Sequence, residues 1–382
     1  MDKFDLHTKV LIGGDFLRAM MKDMHRAFIV TDAFMAESGR TSYLTEPLAA
    51  AGAEYRIFSE VAPDPDIDMV TAGVSAILDF QPDAVIAFGG GSPIDAAKAI
   101  MYFAARQFDL RDCPFIAVPT TSGTGSEVSK FAVITDKARG AKYPLIDESL
   151  LPDYAVLDAE LTRSVPPRVT ADTGLDVLTH AIEAYVCTEA NAFTDALAEK
   201  AVKLVHACLL TAYREPDNLT ARQAMHNASC LAGAAFSNAG LGICHSMAHA
   251  LGGQTHIPHG RANAILLPYV MSYNAGCETK LTETAGRYAD LAALLDLKAE
   301  SVRQSAINLI RTVRRLEKQM GVPYTIEEAG VDASRFEAIV QTMAETALAD
   351  RCTATSPRQP TREEIVGLYR QAFGGGSRIV LR

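Results

Sequence analysis

The sequence predicts a two-domain protein, with an N-terminal α/β domain over residues 1–166 and an all-helical C-terminal domain over residues 167–382. Three observations favour this fold class. Short β-branched runs alternate with helical patterns in the first part of the chain, strand patterns become rare after it, and the proline pair Pro166-Pro167 marks the change. Alternating strands and helices are typical of a Rossmann-like parallel sheet with helices on its faces.

The elements follow from hydrophobic periodicity. In the first domain, buried strands are predicted at 27–31, 54–58, 84–88, 115–119 and 155–157, with helices at 67–80 and 94–105. In the second domain, apolar residues at helical spacing predict helices at 172–185, 192–211, 221–235, 245–251, 281–295, 301–320 and 334–349.

Composition excludes several classes of protein. With 48% hydrophobic and 21% charged residues, the chain can bury a large core. The net charge of −10 argues against binding to nucleic acid or to an anionic membrane surface. No apolar run approaches the roughly 20 residues that a bilayer requires, and no signal peptide is evident. The seven cysteines have no C-x-x-C pattern, which favours a reducing compartment, so we expect a cytoplasmic protein.

Two polar loops follow predicted strands. Gly89, Gly90, Gly91 and Ser92 lie between a strand and a helix, where exposed N–H groups can hold a phosphate, although a tight turn would have the same pattern. The second loop, TTSGTGSE at 120–127, offers hydroxyl groups, although a polar surface loop would do so too. Because parallel strands end at the same sheet edge, the two loops together predict a nucleotide site.

Asp32 ends the predicted strand 27–31. A carboxylate at that edge can accept hydrogen bonds from an adenosine ribose and repel a 2′-phosphate. A helix N-cap is the alternative, and it is the more common role for a single aspartate after a strand.

Histidine and aspartate spacing predicts a metal site. Asp176 and His180 are four residues apart, as are His245 and His249, and His259 follows in a predicted turn. A single histidine of this kind is more often a core or surface residue, but two such pairs and a third histidine favour a bound ion. Imidazole and carboxylate ligands suit Fe²⁺, Zn²⁺, Co²⁺ or Mn²⁺.

Together these features predict catalysis between the two domains. A divalent ion can polarise the oxygen of an alcohol or aldehyde, and a nicotinamide can exchange a hydride with the neighbouring carbon. We therefore expect an NAD-linked oxidoreductase.

The chain resembles the iron-dependent (group III) alcohol dehydrogenases over nearly its whole length, which implies the dehydroquinate synthase-like fold of that family. The resemblance rests on GGGSPIDAAKA at 89–99, PTTSGTGSE at 119–127, TGLDVLTHAIEAY at 173–185, HSMAHALGG at 245–253 and IPHG at 257–260. No ligand position departs from the family pattern, which disfavours the three-ligand zinc arrangement of glycerol dehydrogenases.

The resemblance also implies roles for single residues. It implies that one divalent ion, normally Fe²⁺ with Zn²⁺ as a substitute, is bound by Asp176, His180, His245 and His259, and that His249 is catalytic. It places the NAD(H) pyrophosphate on residues 89–92, favours NAD through Asp32, and assigns other parts of the cofactor to Asp95, Thr120, Thr121, Thr124 and Lys142. Phe236 and Cys352 are implied substrate-pocket residues.

Within the family, the chain is most similar to the propanol dehydrogenases of bacterial propanediol-utilisation microcompartments, on VLTH at 177–180, FTDALAEKA at 193–201 and MHNAS at 225–229. This similarity implies a short aldehyde such as propanal or acetaldehyde as substrate, with microcompartment components as partners. The family implies a homodimer. The alternatives are a polyol dehydrogenase for glycerol or propanediol on the same scaffold, and a non-catalytic shell or filament component.

Overall fold

The computed structural model describes residues 4–107, 109–110, 112–137 and 141–376, which divide into two compact units. The first unit is Asp5–Ser164. The second begins at Val165, one residue before the proline pair, and also includes Phe4.

A six-stranded parallel sheet forms the centre of the first unit, in the order β1-β8-β5-β4-β2-β3. This confirms the predicted parallel sheet. A separate antiparallel hairpin joins β6 and β7. The strands are β1 Lys9–Ile12, β2 Arg26–Asp32, β3 Glu54–Val61, β4 Ala84–Gly89, β5 Phe115–Pro119, β6 Phe131–Asp136, β7 Ala141–Ile146 and β8 Tyr154–Leu157.

Both faces of the sheet are covered, because alternate residues of one strand enter different cores. Val85 and Ala87 of β4 belong to one buried cluster, whereas Ile86 and Phe88 belong to the other. A strand buried on both faces is apolar at every position, as β4 is. The helices of this unit are α1 Asp15–Met21, α2 Ala33–Glu37, α3 Ser42–Ala50, α4 Ile67–Phe80 and α5 Gly91–Ala104.

Helices form the second unit, which confirms the predicted all-helical architecture. Its first helix, α6, begins with Pro167, and Pro166 is its N-cap. Almost every residue of α6 from Thr170 onward is buried, because α7, α8 and α10 pack around it. The helices are α6 Pro167–Val186, α7 Ala192–Arg214, α8 Leu219–Ala239, α9 Ile243–Thr255, α10 His259–Ala275, α11 Thr284–Leu294, α12 Val302–Gln319, α13 Ala333–Ala349, α14 Arg351–Ala354 and α15 Arg362–Gly374.

His259 lies in a helix, not in a turn as its sequence predicted. It is the first residue of α10, and Pro258 before it is the N-cap, with φ −54°. The fixed φ of proline favours the start of a helix directly after the bend that the Ile-Pro pair makes.

Among the described residues, the longest apolar helical stretches are too short or too polar to cross a lipid bilayer.

Candidate metal centre and cofactor loops

Three helices of the second unit bring four potential ligands together. Asp176 and His180 lie one turn apart on α6, His245 lies on α9, and His259 begins α10. One ligand atom from each of the four residues lies within 4.8 Å of the others. The four residues that the family resemblance implied as ligands therefore lie together in the fold.

The arrangement fits a bound cation. Asp176 Oδ1 lies 3.5 Å from His259 Nε2 and 3.9 Å from His245 Nε2. The His180 ring stacks on the His245 ring at 4.5 Å. His180 Nδ1 and His245 Nε2 are buried and have no hydrogen-bond partner among the described residues. Buried nitrogens without partners are unfavourable, and an ion with nitrogen and oxygen ligands would satisfy them.

Burial also favours the protonation states that bind metals. It lowers the pKa of His180 to about 3, partly offset by Asp176, and lowers the pKa of His245 well below its usual value. Both imidazoles are therefore neutral at physiological pH, the form that coordinates a metal. Burial raises the pKa of Asp176, and positive charge at the centre would counteract that shift.

Asn263 supports this group although the sequence did not single it out. Its Nδ2 donates to Asp176 Oδ1 at 2.7 Å and lies 3.1 Å from His259 Nε2. Asn263 follows His259 by four residues on α10, so the spacing that indicated the ligand pairs could also have indicated Asn263.

Glu183 also contacts the group. Its Oε2 lies 2.6 Å from His245 Nδ1. Burial raises the pKa of Glu183 to about 7, and hydrogen bonds from the backbone of Cys244, Gly242 and His245 oppose that shift. It lies seven residues after Asp176 on the same helical face, which is the signal that could have identified it.

His249 has a carboxylate partner of its own. Its Nδ1 lies 2.8 Å from Asp350 Oδ2, and the other oxygen of Asp350 accepts from the Cys352 N–H at 2.8 Å. His249, Asp350 and Cys352 also offer potential ligand atoms within 4.8 Å of one another, but these hydrogen bonds account for their proximity. Asp350 was missed because it is distant in sequence from both histidine pairs.

The two implied substrate-pocket residues lie near different histidines. Phe236, on α8, stacks on the His180 ring at 4.6 Å. Cys352, on α14, lies in the group with His249. The structure thus brings both residues to the side chains around the candidate centre.

In the first unit, the two predicted cofactor loops touch each other. Gly89 ends β4, Gly90 is the N-cap of α5, and Gly91 and Ser92 begin that helix. The Thr120 N–H donates to Gly89 O at 2.9 Å.

The glycines of the first loop also pack against threonines of the second. A Cβ on Gly91 would lie 2.8 Å from Thr124 Cγ2, and one on Gly90 would lie 3.3 Å from Thr121 Oγ1. A side chain at position 90 or 91 would therefore push the two loops apart or occupy the space next to the threonines.

Helix α5 holds the second loop and the segment that follows it through two polar side chains. Asp95 is partly buried, and its two oxygens accept from Ser126 Oγ at 2.6 Å and from Val133 N at 3.0 Å. One turn later, Lys98 Nζ donates to the carbonyl oxygens of Ser129 and Phe131 at 2.7 and 2.8 Å. Burial lowers the pKa of Lys98 to about 8, although the charges of Asp95 and Glu127 oppose this.

Asp32 caps a helix and also lies beside the first loop. Its Oδ1 accepts from Met35 N at 2.9 Å at the start of α2, which is the alternative role that the sequence allowed. Its Oδ2 lies 3.5 Å from the position a Cβ would take on Gly89. Lys142 belongs to β7 by its backbone, and its side chain lies outside the described part of the structure.

Two curated relatives are similar to almost the entire chain. It is 45% identical to the 1-propanol dehydrogenase PduQ of Citrobacter freundii, over 94% of this chain and 96% of that protein. It is 41% identical to the NADPH-dependent butanol dehydrogenase of Clostridium saccharobutylicum, over 98% of this chain and 99% of that protein.

Solved structures share the fold. A 1,3-propanediol oxidoreductase superposes with a TM-score of 0.89 at 34% identity, over 98% of this chain and 100% of that one. The sulfoacetaldehyde reductase of Bifidobacterium kashiwanohense, solved in complex with NAD⁺, gives a TM-score of 0.84 at 27% identity, over 98% of this chain and 99% of that one.

Two family models match consecutive parts of the chain. The model for iron-containing alcohol dehydrogenases matches residues 8–159, and the model for the C-terminal part of the Fe-containing alcohol dehydrogenase family matches residues 170–373. With the two loops and the four-residue group at the positions that the motifs predicted, the conclusion is that this chain belongs to the iron-containing alcohol dehydrogenase family.

Proposed function

We propose that this protein is an iron-dependent alcohol dehydrogenase that interconverts a short-chain aldehyde, such as propanal or acetaldehyde, and its primary alcohol with NADH and NAD⁺. The observation that carries the proposal is the group of one carboxylate and three imidazoles, whose ligand atoms lie within 4.8 Å of one another in a member of this family. Family membership also argues against the non-catalytic alternative.

Asp176, His180, His245 and His259 would hold one divalent ion, Fe²⁺ or, as a substitute, Zn²⁺. When bound, the ion supplies a Lewis acid that polarises the oxygen of the alcohol or aldehyde. Phe236 provides an apolar surface beside His180, which suits a short alkyl chain.

His249 would carry the proton of the reaction. Its Nδ1 lies 2.8 Å from Asp350, so a proton on Nδ1 is held by that carboxylate and Nε2 can exchange a proton with the substrate oxygen. The His249 side chain is 44% exposed, which gives the proton access to solvent.

The nicotinamide cofactor would be held by residues 89–92, which offer helix N–H groups to its pyrophosphate, and by the threonines of the second loop. Asp32 lies beside Gly89, where its charge would favour NAD over NADP. The complex of a structural relative with NAD⁺ supports this cofactor.

An anaerobic substrate panel tests the proposal. Protein loaded with Fe²⁺ or with Zn²⁺ is mixed with NADH and propanal, acetaldehyde or butanal, and NADH consumption is followed. We expect turnover of the short aldehydes with the iron-loaded protein. Absence of turnover with every aldehyde and both metals would refute the proposed activity.

His259→Ala is the variant that tests the metal site. Because it removes one of four ligands, we expect loss of bound metal by elemental analysis together with loss of turnover, while the circular dichroism spectrum is retained. The matched control is His206→Ala, which removes an exposed histidine of α7. Wild-type metal content in His259→Ala would show that this ligand is wrongly assigned.

Diol oxidation is the second candidate function, because the 1,3-propanediol oxidoreductase structure superposes closely. The same assay run in reverse, with NAD⁺ and 1-propanol, 1,2-propanediol, 1,3-propanediol or glycerol, separates the candidates. A higher kcat/KM for a diol or glycerol than for 1-propanol would favour the polyol dehydrogenase.

We also propose a homodimer that works in the cytoplasm, either free or inside a bacterial microcompartment. β1 is an edge strand of the described sheet, and Leu6, Val10 and Ile12 around it are 64%, 43% and 56% exposed. An edge strand can pair with a second copy of itself across a two-fold axis. The identity to the 1-propanol dehydrogenase PduQ supports the microcompartment, and co-purification with shell proteins in the native host would test it.

A further inference from the structure

Glu183 lies within the motif at 173–185, but the resemblance assigned it no role. It lies on α6, where Asp176, His180 and Glu183 are separated by four and then three residues and therefore share one helical face. Glu183 is 2% exposed, and burying a carboxylate is costly unless several donors satisfy it. Its partners therefore indicate what it does.

The donors of Glu183 are at the start of another helix. Oε1 accepts from Cys244 N at 2.7 Å, and Oε2 lies 3.3 Å from His245 N. Both N–H groups belong to the first turn of α9, which has no acceptor within its own helix. The N-cap of α9 is Gly242, which has no side chain to cap them, so the Glu183 carboxylate caps α9 from α6.

Gly242 leaves the space that this contact requires. A Cβ at position 242 would lie 2.6 Å from Glu183 Oε1, closer than non-bonded atoms approach. The glycine and the glutamate therefore fit each other, and a conventional capping residue such as Ser or Asp at 242 would displace the carboxylate.

The same carboxylate holds the His245 ring. Oε2 lies 2.6 Å from His245 Nδ1, and His245 Nε2 is buried without a hydrogen-bond partner among the described residues. A proton on Nδ1 is retained by the carboxylate, which leaves the lone pair on Nε2. His245 Nε2 lies 3.9 Å from Asp176 Oδ1, which is another of the candidate ligand atoms.

We propose that Glu183 is a positioning residue that fixes the orientation and tautomer of His245 for metal binding while it caps the helix that carries this ligand. The inference rests on the metal site of the proposed function. One carboxylate thereby joins the helix of Asp176 and His180 to the helix of His245. Carboxylate partners of ligating histidines typically change metal affinity by roughly 10- to 100-fold when they are removed.

Glu183→Gln separates the two roles. The amide oxygen can still accept from Cys244 N–H, so the shorter of the two capping contacts is kept. The amide NH₂ then faces His245 Nδ1 and favours the tautomer with its proton on Nε2, which leaves Nε2 without a lone pair for the ion. We expect the affinity for Co²⁺, measured by chelator competition, to fall by roughly 10- to 100-fold. The metal-free variant should melt close to the metal-free wild type.

The matched control is Glu317→Gln, which alters another fully buried carboxylate of the helical unit. Glu317 pairs with Arg314 at 2.7 Å, so the change should lower the melting temperature and leave Co²⁺ affinity unchanged. Wild-type Co²⁺ affinity in Glu183→Gln would overturn the inference. Equal loss of affinity in both variants would also overturn it, because any buried carboxylate would then have the same effect.

Two further variants keep the result interpretable. If His259→Ala loses Co²⁺ while Glu183→Gln retains it, the metal site stands and only the role of Glu183 fails. If His259→Ala keeps wild-type affinity, the metal site itself is wrong.

Glu183→Asp keeps the charge with one methylene fewer, and we expect intermediate affinity. Unfolding of both Glu183 variants without metal would overturn the positioning role, since Glu183 would then act on the fold.

Discussion

His245 and His249 lie one turn apart on the same face of α9, but their rings have different surroundings. His245 is 1% exposed, whereas the side chain of His249 is 44% exposed. The buried ring is held by Glu183 on α6 and the exposed ring by Asp350 after α13. A ligand benefits from an enclosed, fixed ring, whereas a group that exchanges protons needs access to water.

His249→Ala should therefore keep its metal and still bind NADH, while kcat for propanal falls by roughly 100-fold, the lower end of the effect of an acid–base group. Elemental analysis, NADH titration and steady-state kinetics measure the three quantities. His245→Ala is the comparison, and it should lose the metal. A metal-free His249→Ala would identify His249 as a ligand, and an unchanged kcat would assign the proton to another group.

Asp32 combines two roles that substitution can separate. Asp32→Gly removes both the cap of α2 and the charge beside Gly89, whereas Asp32→Ser keeps a capping oxygen and removes only the charge. We expect both to raise the ratio of kcat/KM for NADPH to that for NADH by roughly tenfold or more, because they remove a repulsion of about 1 to 4 kcal/mol.

Asp332→Ser, which changes the cap of α13 in the helical unit, is the control for loss of a capping aspartate. An unaltered cofactor ratio in both Asp32 variants would leave Asp32 as a helix cap alone. The NADPH-dependent relative at 41% identity is the natural reference for this ratio.

The side chains missed from the sequence are those that contact a candidate ligand or His249 and would not themselves bind the ion or the substrate. Asp176, His180 and His245 were predicted because i,i+4 spacing puts ligands on one helical face. Asp350 contacts His249 across a long stretch of chain, and only the packing of α13 and α14 against α9 brings them together. The spacing of residues within one helix cannot indicate a contact between residues so far apart in the chain.

Helix α5 connects the two cofactor loops. It begins inside the first loop, contacts the second through Asp95, and contacts the segment that follows the second loop through Lys98, so it fixes the two loops relative to each other. A binding loop that is already ordered loses less entropy when its ligand binds.

Lys98→Met should release one end of this connection. The methionine fills similar space but donates nothing to Ser129 and Phe131, so we expect the Kd for NADH to rise by roughly tenfold, as the loop must be ordered on binding. Fluorescence titration with NADH measures it, and Lys22→Met, at an exposed lysine after α1, is the control. A variant that is less stable but binds NADH normally would show that Lys98 supports the fold alone.

Element prediction succeeded where an element has one buried face and clear ends. The predicted helix 67–80 coincides with α4, which Asp66 caps at its start and which Gln81 ends in a left-handed conformation. No helix was predicted over α10, because it is buried on nearly all sides, carries Pro268, and therefore shows no apolar stripe.

Three strands, β1, β6 and β7, were not predicted, and two of them have a different explanation. β1 is only four residues long and mostly exposed, and β7 contains Pro144, which disfavours a strand in a sequence reading. Their pairing with β8 and β6, respectively, decides their conformation.

The exposed edge strand β1 should determine how two copies of the protein assemble. Val10→Lys combined with Ile12→Lys places two charges on β1, where they would repel the same residues of a second copy. We expect the wild type to elute as a dimer in size-exclusion chromatography with light scattering, and the double variant as a monomer. Val302→Lys, at an exposed apolar position of α12, is the control. A variant that remains dimeric would place the interface elsewhere.

The pairing of β1 with β8 has a consequence for synthesis on the ribosome. β1 leaves the exit tunnel before the other strands of its sheet, but its partner is β8, so Lys9 cannot pair until Tyr154 has been synthesised. At about 5–20 residues per second, this delay lasts roughly 7 to 30 seconds, during which Val10 and Ile12 lack the neighbouring strand. Chaperones that bind short apolar segments therefore have their longest opportunity at the first strand.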